Sequence, residues 1–149
     1  MAMIERAQKQ DVSEILSLQK LAYVSEAEIY NNYNIMPLKE DLATAEQSFE
    51  DNIVLKYVEE GRIVGSVRAY EKDGECFINK LMVHPEYRNR GIAQKLMEGI
   101  EKQFKGVTYK LFTGSRSTKN IALYEKLGYK GYKKEKLDVE DTVFLFMMK

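Results

Sequence analysis

The sequence predicts an α/β (α+β) fold built on a mixed, mostly antiparallel, strongly twisted sheet flanked by helices. Three observations carry this. Three β-rich runs, Ile53–Glu59, Ile63–Tyr70 and Cys76–Val83, follow one another with only short turn signals between them, which specifies consecutive antiparallel strands. Next, Ile92, Leu96, Ile100 and Phe104 recur at helical spacing before a further strand, so the chain crosses over and that strand pairs in parallel. Finally, helical patterns precede the first of these strands and recur between the later ones, supplying cover for the sheet.

Taken in order, Met3–Ala7 reads as a short first strand. Asp11 is an N-cap for a helix carrying Val12, Ile15, Leu16, Leu18 and Leu21 and reaching the Ala27 region. Tyr30, Asn31, Asn32, Tyr33 and Asn34 form a polar, aromatic loop ending near Pro37, because the residue before proline avoids helix. A second helix covers Glu40–Phe49. Glu60-Gly61-Arg62 turns the first hairpin and Lys72-Asp73-Gly74-Glu75 the second. The amphipathic helix spans Asn89 to Lys105, and Gly106 ends it. Thr108–Thr113 is a strand, Ser117–Leu127 a short helix closed by Gly128, and Tyr129–Leu137 and Thr142–Met148 are the last strands.

With 149 residues, the chain accommodates one domain, 1–149, and is too short for two ordinary ones. Lys plus Arg and Asp plus Glu both number 23, so no global field recruits nucleic acid or an acidic membrane, and any anion binding is local. Cys76 is the only cysteine, which excludes an intramolecular disulfide and a cysteine zinc site and fits a cytoplasmic location. No run of about 18 apolar residues suggests a membrane span, and the first residues do not resemble a secretion signal. The C-terminal run Val143, Phe144, Leu145 and Phe146 reads as an exposed edge suited to a homodimer.

The most informative stretch is Leu81-Met82-Val83-His84-Pro85-Glu86-Tyr87-Arg88-Asn89-Arg90-Gly91-Ile92-Ala93, which joins an apolar strand to a helix through a basic turn. Gly91 lets backbone approach a ligand, and the first helical turn leaves N–H groups without internal partners. With the positive end of the helix dipole and Arg88 and Arg90, these groups make an anion site. His84 reads as a turn residue, and Cys76 as a small buried apolar one. Tyr23, Tyr30 and Tyr33 suit either loop packing or a pocket for an acceptor. A nucleotide-binding fold of the dinucleotide type is excluded, since no Gly-x-Gly-x-x-Gly run follows the first strand.

This pattern resembles the GNAT family of N-acetyltransferases over nearly the whole chain. Arg88-Asn89-Arg90-Gly91-Ile92-Ala93 is similar to the family's Arg/Gln-x-x-Gly-x-Gly/Ala signature, and Leu123-Tyr124-Glu125-Lys126-Leu127-Gly128-Tyr129 to its second motif. The resemblance implies a sheet splayed between the fourth and fifth strands. It implies acetyl-CoA as co-substrate and no metal, with the pyrophosphate cradled by Arg88, Asn89, Arg90, Gly91, Ile92 and Ala93. Leu81, Met82 and Val83 would meet the pantetheine arm and thioester, and Asn120 would steady the cofactor. Tyr124 would be the acid that protonates the departing thiolate.

The implied activity is transfer of an acetyl group to a primary amine of a small molecule or protein by direct attack. Two departures accompany the likeness. Ser117 stands where members often carry asparagine, and Lys80 and Phe112 stand where many carry a glutamate base. No base is therefore assigned; water, Glu71, Glu26 and Glu28 are the alternatives, and the amine arriving neutral is another. A reading of another class is an acyl-CoA-binding sensor with little turnover.

Overall fold

The structure, a computed structural model, describes residues 2–136 and 142–149. The chain forms β1 (Ala2–Arg6), α1 (Val12–Ala22), α2 (Val24–Tyr30), α3 (Met36–Lys39), α4 (Leu42–Asp51), β2 (Ile53–Glu59), β3 (Arg62–Lys72) and β4 (Glu75–Val83). It continues with α5 (Ile92–Glu101), β5 (Thr108–Gly114), α6 (Thr118–Lys126), β6 (Lys130–Lys136) and β7 (Val143–Met148). The seven strands make one sheet in the order β1-β2-β3-β4-β5-β7-β6. Only β4 and β5 pair in parallel; every other neighbouring pair is antiparallel. The expected mixed, mostly antiparallel sheet is therefore present.

Both hairpins turn on two residues with positive φ, Glu60 and Gly61 in the first and Asp73 and Gly74 in the second. That is the twist-compatible geometry for tight antiparallel connections. One face of the sheet carries the main core, where Ile92, Leu96, Met97 and Ile100 of α5 meet Leu55, Val64, Val67, Ala69 and Ile78. The opposite face is covered by α1, with Leu18 and Ala22 packed on Ile63 and Met82.

Several helix boundaries differ from expectation. The first helix does not run on to Ala27 but breaks at Tyr23, which is both the C-cap of α1 and the N-cap of α2. The break frees terminal carbonyls, and Arg88 takes one of them through Nη2 to the Ala22 oxygen at 2.8 Å. Pro37 sits within the first turn of α3, a position where its missing N–H costs nothing, so a short helix replaces part of the expected loop. The fourth helix begins after Asp41, whose Oδ1 accepts from the Thr44 N–H at 2.8 Å. At α5, Asn89 (φ 64) and Gly91 (φ 79) are left-handed, so the helix starts later than Asn89. Its far end tightens into three-residue turns before Lys105.

The expected C-terminal edge is also corrected. Val143 to Phe146 lie on β7, which is paired on both sides, to β5 and to β6. The true edge is β6, fully exposed and carrying Lys130, Lys133, Lys134 and Lys136, a composition that discourages edge-to-edge pairing. Leu137, expected to end that strand, lies outside the described residues.

The seating of α5 on the sheet depends on a missing side chain. A Cβ at Gly65 would stand 3.0 Å from Leu96 Cδ1, 3.1 Å from Ile92 Cγ2 and 3.3 Å from the Met82 carbonyl. Gly65→Val is expected to destabilise the fold by about 1–3 kcal/mol through overpacking, read as a lower urea midpoint at unchanged slope.

Candidate active site

The site begins where two strands part. β4 and β5 pair only at Glu75↔Thr108, Cys76↔Tyr109 and Phe77↔Lys110. Beyond Phe77, β4 continues to Val83 alongside β3 alone, while β5 runs on beside β7. A bulge marks the departure. Between the pairs Ser66↔Met82 and Arg68↔Asn79 the register shifts, and Lys80 adopts φ 54. An extra residue of this kind bends its strand and increases the local twist. No strand therefore pairs with Leu81, Met82 and Val83 on the β5 side, and the main-chain groups that alternate toward that side have no ladder partner there. The expected splay between the fourth and fifth strands is present.

The turn after β4 leads into α5 through left-handed backbone. Gly91 is the N-cap of α5 in the left-handed region, and the Lys95 N–H closes the first helical bond on its carbonyl at 3.1 Å. The amides of Ile92, Ala93 and Gln94 therefore precede any intrahelical bond. A Cβ on Gly91 would meet no atom of the protein within 4 Å, so space lies open in front of this backbone. The arginine side chains have other duties. Arg88 holds the end of α1, and the Arg90 guanidinium lies 4.8 Å from the centroid of the Tyr87 ring.

The far wall is α6. Gly128 (φ 101) ends it in a Schellman arrangement, in which the Tyr129 N–H donates to the Tyr124 carbonyl at 2.9 Å and the Gly128 N–H to that of Glu125 at 3.0 Å. The Tyr124 and Tyr129 rings meet edge to face at 6.1 Å. Leu127-Gly128-Tyr129 is thus the device that fixes Tyr124. Tyr124 is only 8% exposed, and burial, reinforced by Tyr23 and Glu26, raises its pKa above the ordinary phenol value. Asn120 points its Nδ2 at Thr113 Oγ1, 3.5 Å away on β5.

Ser117 is the N-cap of α6, but its side chain makes no cap bond. Its Oγ instead lies 2.5 Å from Glu26 Oε1 and 2.8 Å from the Tyr30 hydroxyl, which in turn accepts from the Arg116 N–H at 2.9 Å. This network, unforeseen from sequence, ties α2 to the start of α6. Tyr23 reaches the Leu81 carbonyl at 3.4 Å, so two of the three N-terminal tyrosines lie at the cleft while Tyr33 is exposed.

Neither Lys80 nor Phe112 offers a carboxylate. Lys80 sits in the bulge, and Phe112 stacks near Phe144 and Phe146 on an uncovered stretch of sheet. Glu71 pairs with Cys76 at the closed end of β4, roughly 20 Å of strand away from Val83, which removes it as a candidate base. Cys76 is buried and its thiol is pushed up to about 12, chiefly by desolvation, so it is not a nucleophile. His84 is a turn residue whose Nδ1 accepts from the Glu86 N–H at 3.1 Å. Among the described residues no cluster of His, Cys, Asp and Glu is suited to a metal, and no helix is long and apolar enough to cross a membrane.

The family model described as the acetyltransferase (GNAT) family matches residues 5–129, and the chain belongs to that family. The chain is 29% identical over 132 residues to the UPF0157 protein YqkA of Bacillus subtilis (strain 168), covering 85% of this chain and 38% of that protein. It is 35% identical over 78 residues to the N-terminal acetyltransferase B complex catalytic subunit NAA20 of Arabidopsis thaliana, covering 50% of this chain and 45% of that one. The chain thus spans less than half the length of these curated relatives. Among solved structures, yncA from Salmonella typhimurium, determined with its cofactor acetyl-CoA, superposes with a TM-score of 0.76 at 17% identity, over 99% of this chain and 92% of that one.

The burial of Tyr124 has a direct optical test. Its folded-state pKa is raised above the 10.0 of an unfolded phenol, so its contribution to stability is complete below that pH and is lost as pH rises toward the folded value. Alkaline absorbance titration of the native protein is expected to show no loss of phenolate signal near pH 10.0 on Tyr124→Phe substitution. A missing phenolate there would show that Tyr124 is freely ionisable.

Proposed function

We propose that this protein is an N-acetyltransferase that moves the acetyl group of acetyl-CoA to a primary amine of a small molecule or a protein by direct attack. The observation that carries the reading is the parting of β4 and β5, which leaves the end of β4 without a strand partner on the β5 side, next to the uncapped N-terminus of α5 and a buried phenol. Family membership supports it, and acetyl-CoA in the yncA structure makes that molecule the natural candidate for this cleft.

The residues present fit such a ligand. Its diphosphate would lie against the amides from Arg88 to Ala93, where the left-handed Gly91 leaves the backbone uncovered. Its pantetheine arm would pair with Leu81, Met82 and Val83, and Asn120 would steady it from α6. When bound, acetyl-CoA supplies a thioester carbonyl as acyl donor. A β4 N–H polarises the carbonyl oxygen, and Tyr124, kept protonated by burial, donates its proton to the leaving sulfur. The acceptor amine would approach past Tyr23 and Tyr30.

The test is thiol release from acetyl-CoA across a panel of primary amines. Tyr124→Phe is expected to lower turnover by about 100-fold, the scale of general acid catalysis, with acetyl-CoA affinity unchanged. If acetyl-CoA binds and no amine raises release above background, the sensor reading replaces this one. The cradle has its own test. Val at Gly91 would have to hold a left-handed backbone at a cost of about 1–2 kcal/mol and would place a branched side chain over the amides. Gly91→Val is therefore expected to weaken acetyl-CoA binding at least about tenfold by calorimetry; unchanged affinity would move the cradle elsewhere.

A further inference from the structure

We propose that Glu26 receives the acceptor's ammonium group and takes its proton, so that the base of this enzyme comes from α2 rather than from the sheet. The proposal rests on the acetyltransferase reading and adds the residue that reading lacks.

Position is the first argument. Glu26 Oε1 is fixed by Ser117 Oγ at 2.5 Å, and Ser117 is only 1% exposed. Ser117 precedes Tyr124 by two helical turns and so shares its side of α6. Helical side chains lean toward the N-terminus, which carries the Tyr124 hydroxyl back over the turn nearest Ser117. The carboxylate and the phenol therefore converge, and the Glu26 charge is among the causes that raise the pKa of both Tyr124 and Tyr23.

Availability is the second. Oε2 of Glu26 accepts no hydrogen bond from any described residue and is not sealed from solvent, so one oxygen is anchored while the other is free. Among the described residues no Lys, Arg or His pairs with Glu26. Arg116, close in sequence to Ser117, lies over the Tyr30 ring at 5.4 Å instead. A half-buried carboxylate without a countercharge is a ready seat for a cation. The scaffold is specific: a Cβ at Gly114 would overlap the Tyr30 hydroxyl that braces Ser117, so only glycine leaves room for this arrangement.

The proton balance follows. The ammonium gives one proton to Glu26, and the freed nitrogen lone pair forms the C–N bond as the C–S bond breaks. The sulfur takes the proton of Tyr124, and the phenolate regains the second proton from the nitrogen as the amide forms. Glu26 returns its proton to water, so each turnover yields the amide, the thiol and one proton.

Two amines separate a proton acceptor from a structural residue. At neutral pH ethylamine arrives as an ammonium, whereas trifluoroethylamine arrives mostly neutral. Thiol release from acetyl-CoA is measured with each amine for the wild type, Glu26→Gln and Glu26→Asp. Glu26→Gln is expected to lower kcat/KM for ethylamine about 100-fold and for trifluoroethylamine by no more than about threefold. Acetyl-CoA affinity and thermal midpoint should be unchanged, and Glu26→Asp should recover part of the loss. Equal losses with both amines, or none, would overturn the proposal while leaving the acetyltransferase reading intact. A wild type that acetylates neither amine, although acetyl-CoA binds, would overturn both. Should Glu26→Gln fail to fold, Ser117→Ala keeps the charge but releases its anchor, and an unaltered ethylamine rate in that variant would count as refutation.

Discussion

The parting of β4 and β5 is the constraint on which the site depends. A parallel pair left intact would satisfy its own backbone and present only side chains to a ligand. Here pairing stops after Phe77, and the bulge at Lys80 turns the rest of β4 away from its neighbour. A non-glycine residue in the left-handed region carries a cost on the order of 1 kcal/mol, and the surrounding β3 pairs on either side of it hold it there. The result is a strand end fixed by β3 on one side and open on the other. Tyr23 meets one of its carbonyls, at Leu81, and on that side no strand takes the others.

Two helix ends, those of α1 and α5, meet at that opening, and a third helix, α6, is fixed from its far end. The N-terminus of α5 has no side-chain cap, so its amides stay free for an anion. The C-terminus of α6 is closed by Gly128 and Tyr129, which fixes the ring of Tyr124 from behind. The C-terminus of α1 is capped by Arg88, reaching back from the anion turn itself. That last contact gives Arg88 a structural role: it ties the C-terminus of α1 to the turn before α5. The proposed anion site would then draw chiefly on backbone amides and helix dipole, which suits a chain with no net charge.

Much of this was legible in the sequence because it is local. The Glu60-Gly61 and Asp73-Gly74 turns, the apolar stripe of α5 and the Gly128 stop are each written within a few residues. What escaped was set by packing. Tyr23 lies inside a continuous helical pattern, and only its reach to β4 shows why the helix breaks there. Pro37 signals a boundary, yet it also fits a first turn, and the choice depends on the Gln19 amide meeting the Pro37 carbonyl at 3.0 Å. The bulge at Lys80 has no glycine to announce it. Ser117 reads as a helix cap from its residue type, but its hydroxyl is claimed by a carboxylate 91 positions away. Pattern reading names Glu26, Glu28 and Glu71 as equals; the sheet removes Glu71 by distance, and Ser117 singles out Glu26.

A carboxylate brought in from α2 also alters how selectivity is divided. A base on β4 or β5 would move with the sheet that holds the thioester. Glu26 sits instead on the helix that begins at Tyr23 and carries Tyr30, which in this proposal would line the approach of the acceptor. Recognition and deprotonation of the amine would then sit on one element, while activation of the acyl group stays with β4, α5 and α6. The Ser117 hydroxyl is the joint between the two halves, and its near-complete burial keeps water from competing for the bond. Sequence change in α2 would therefore alter which amine is accepted without disturbing the proposed cradle, provided that Glu26, Tyr30 and Gly114 keep the joint closed.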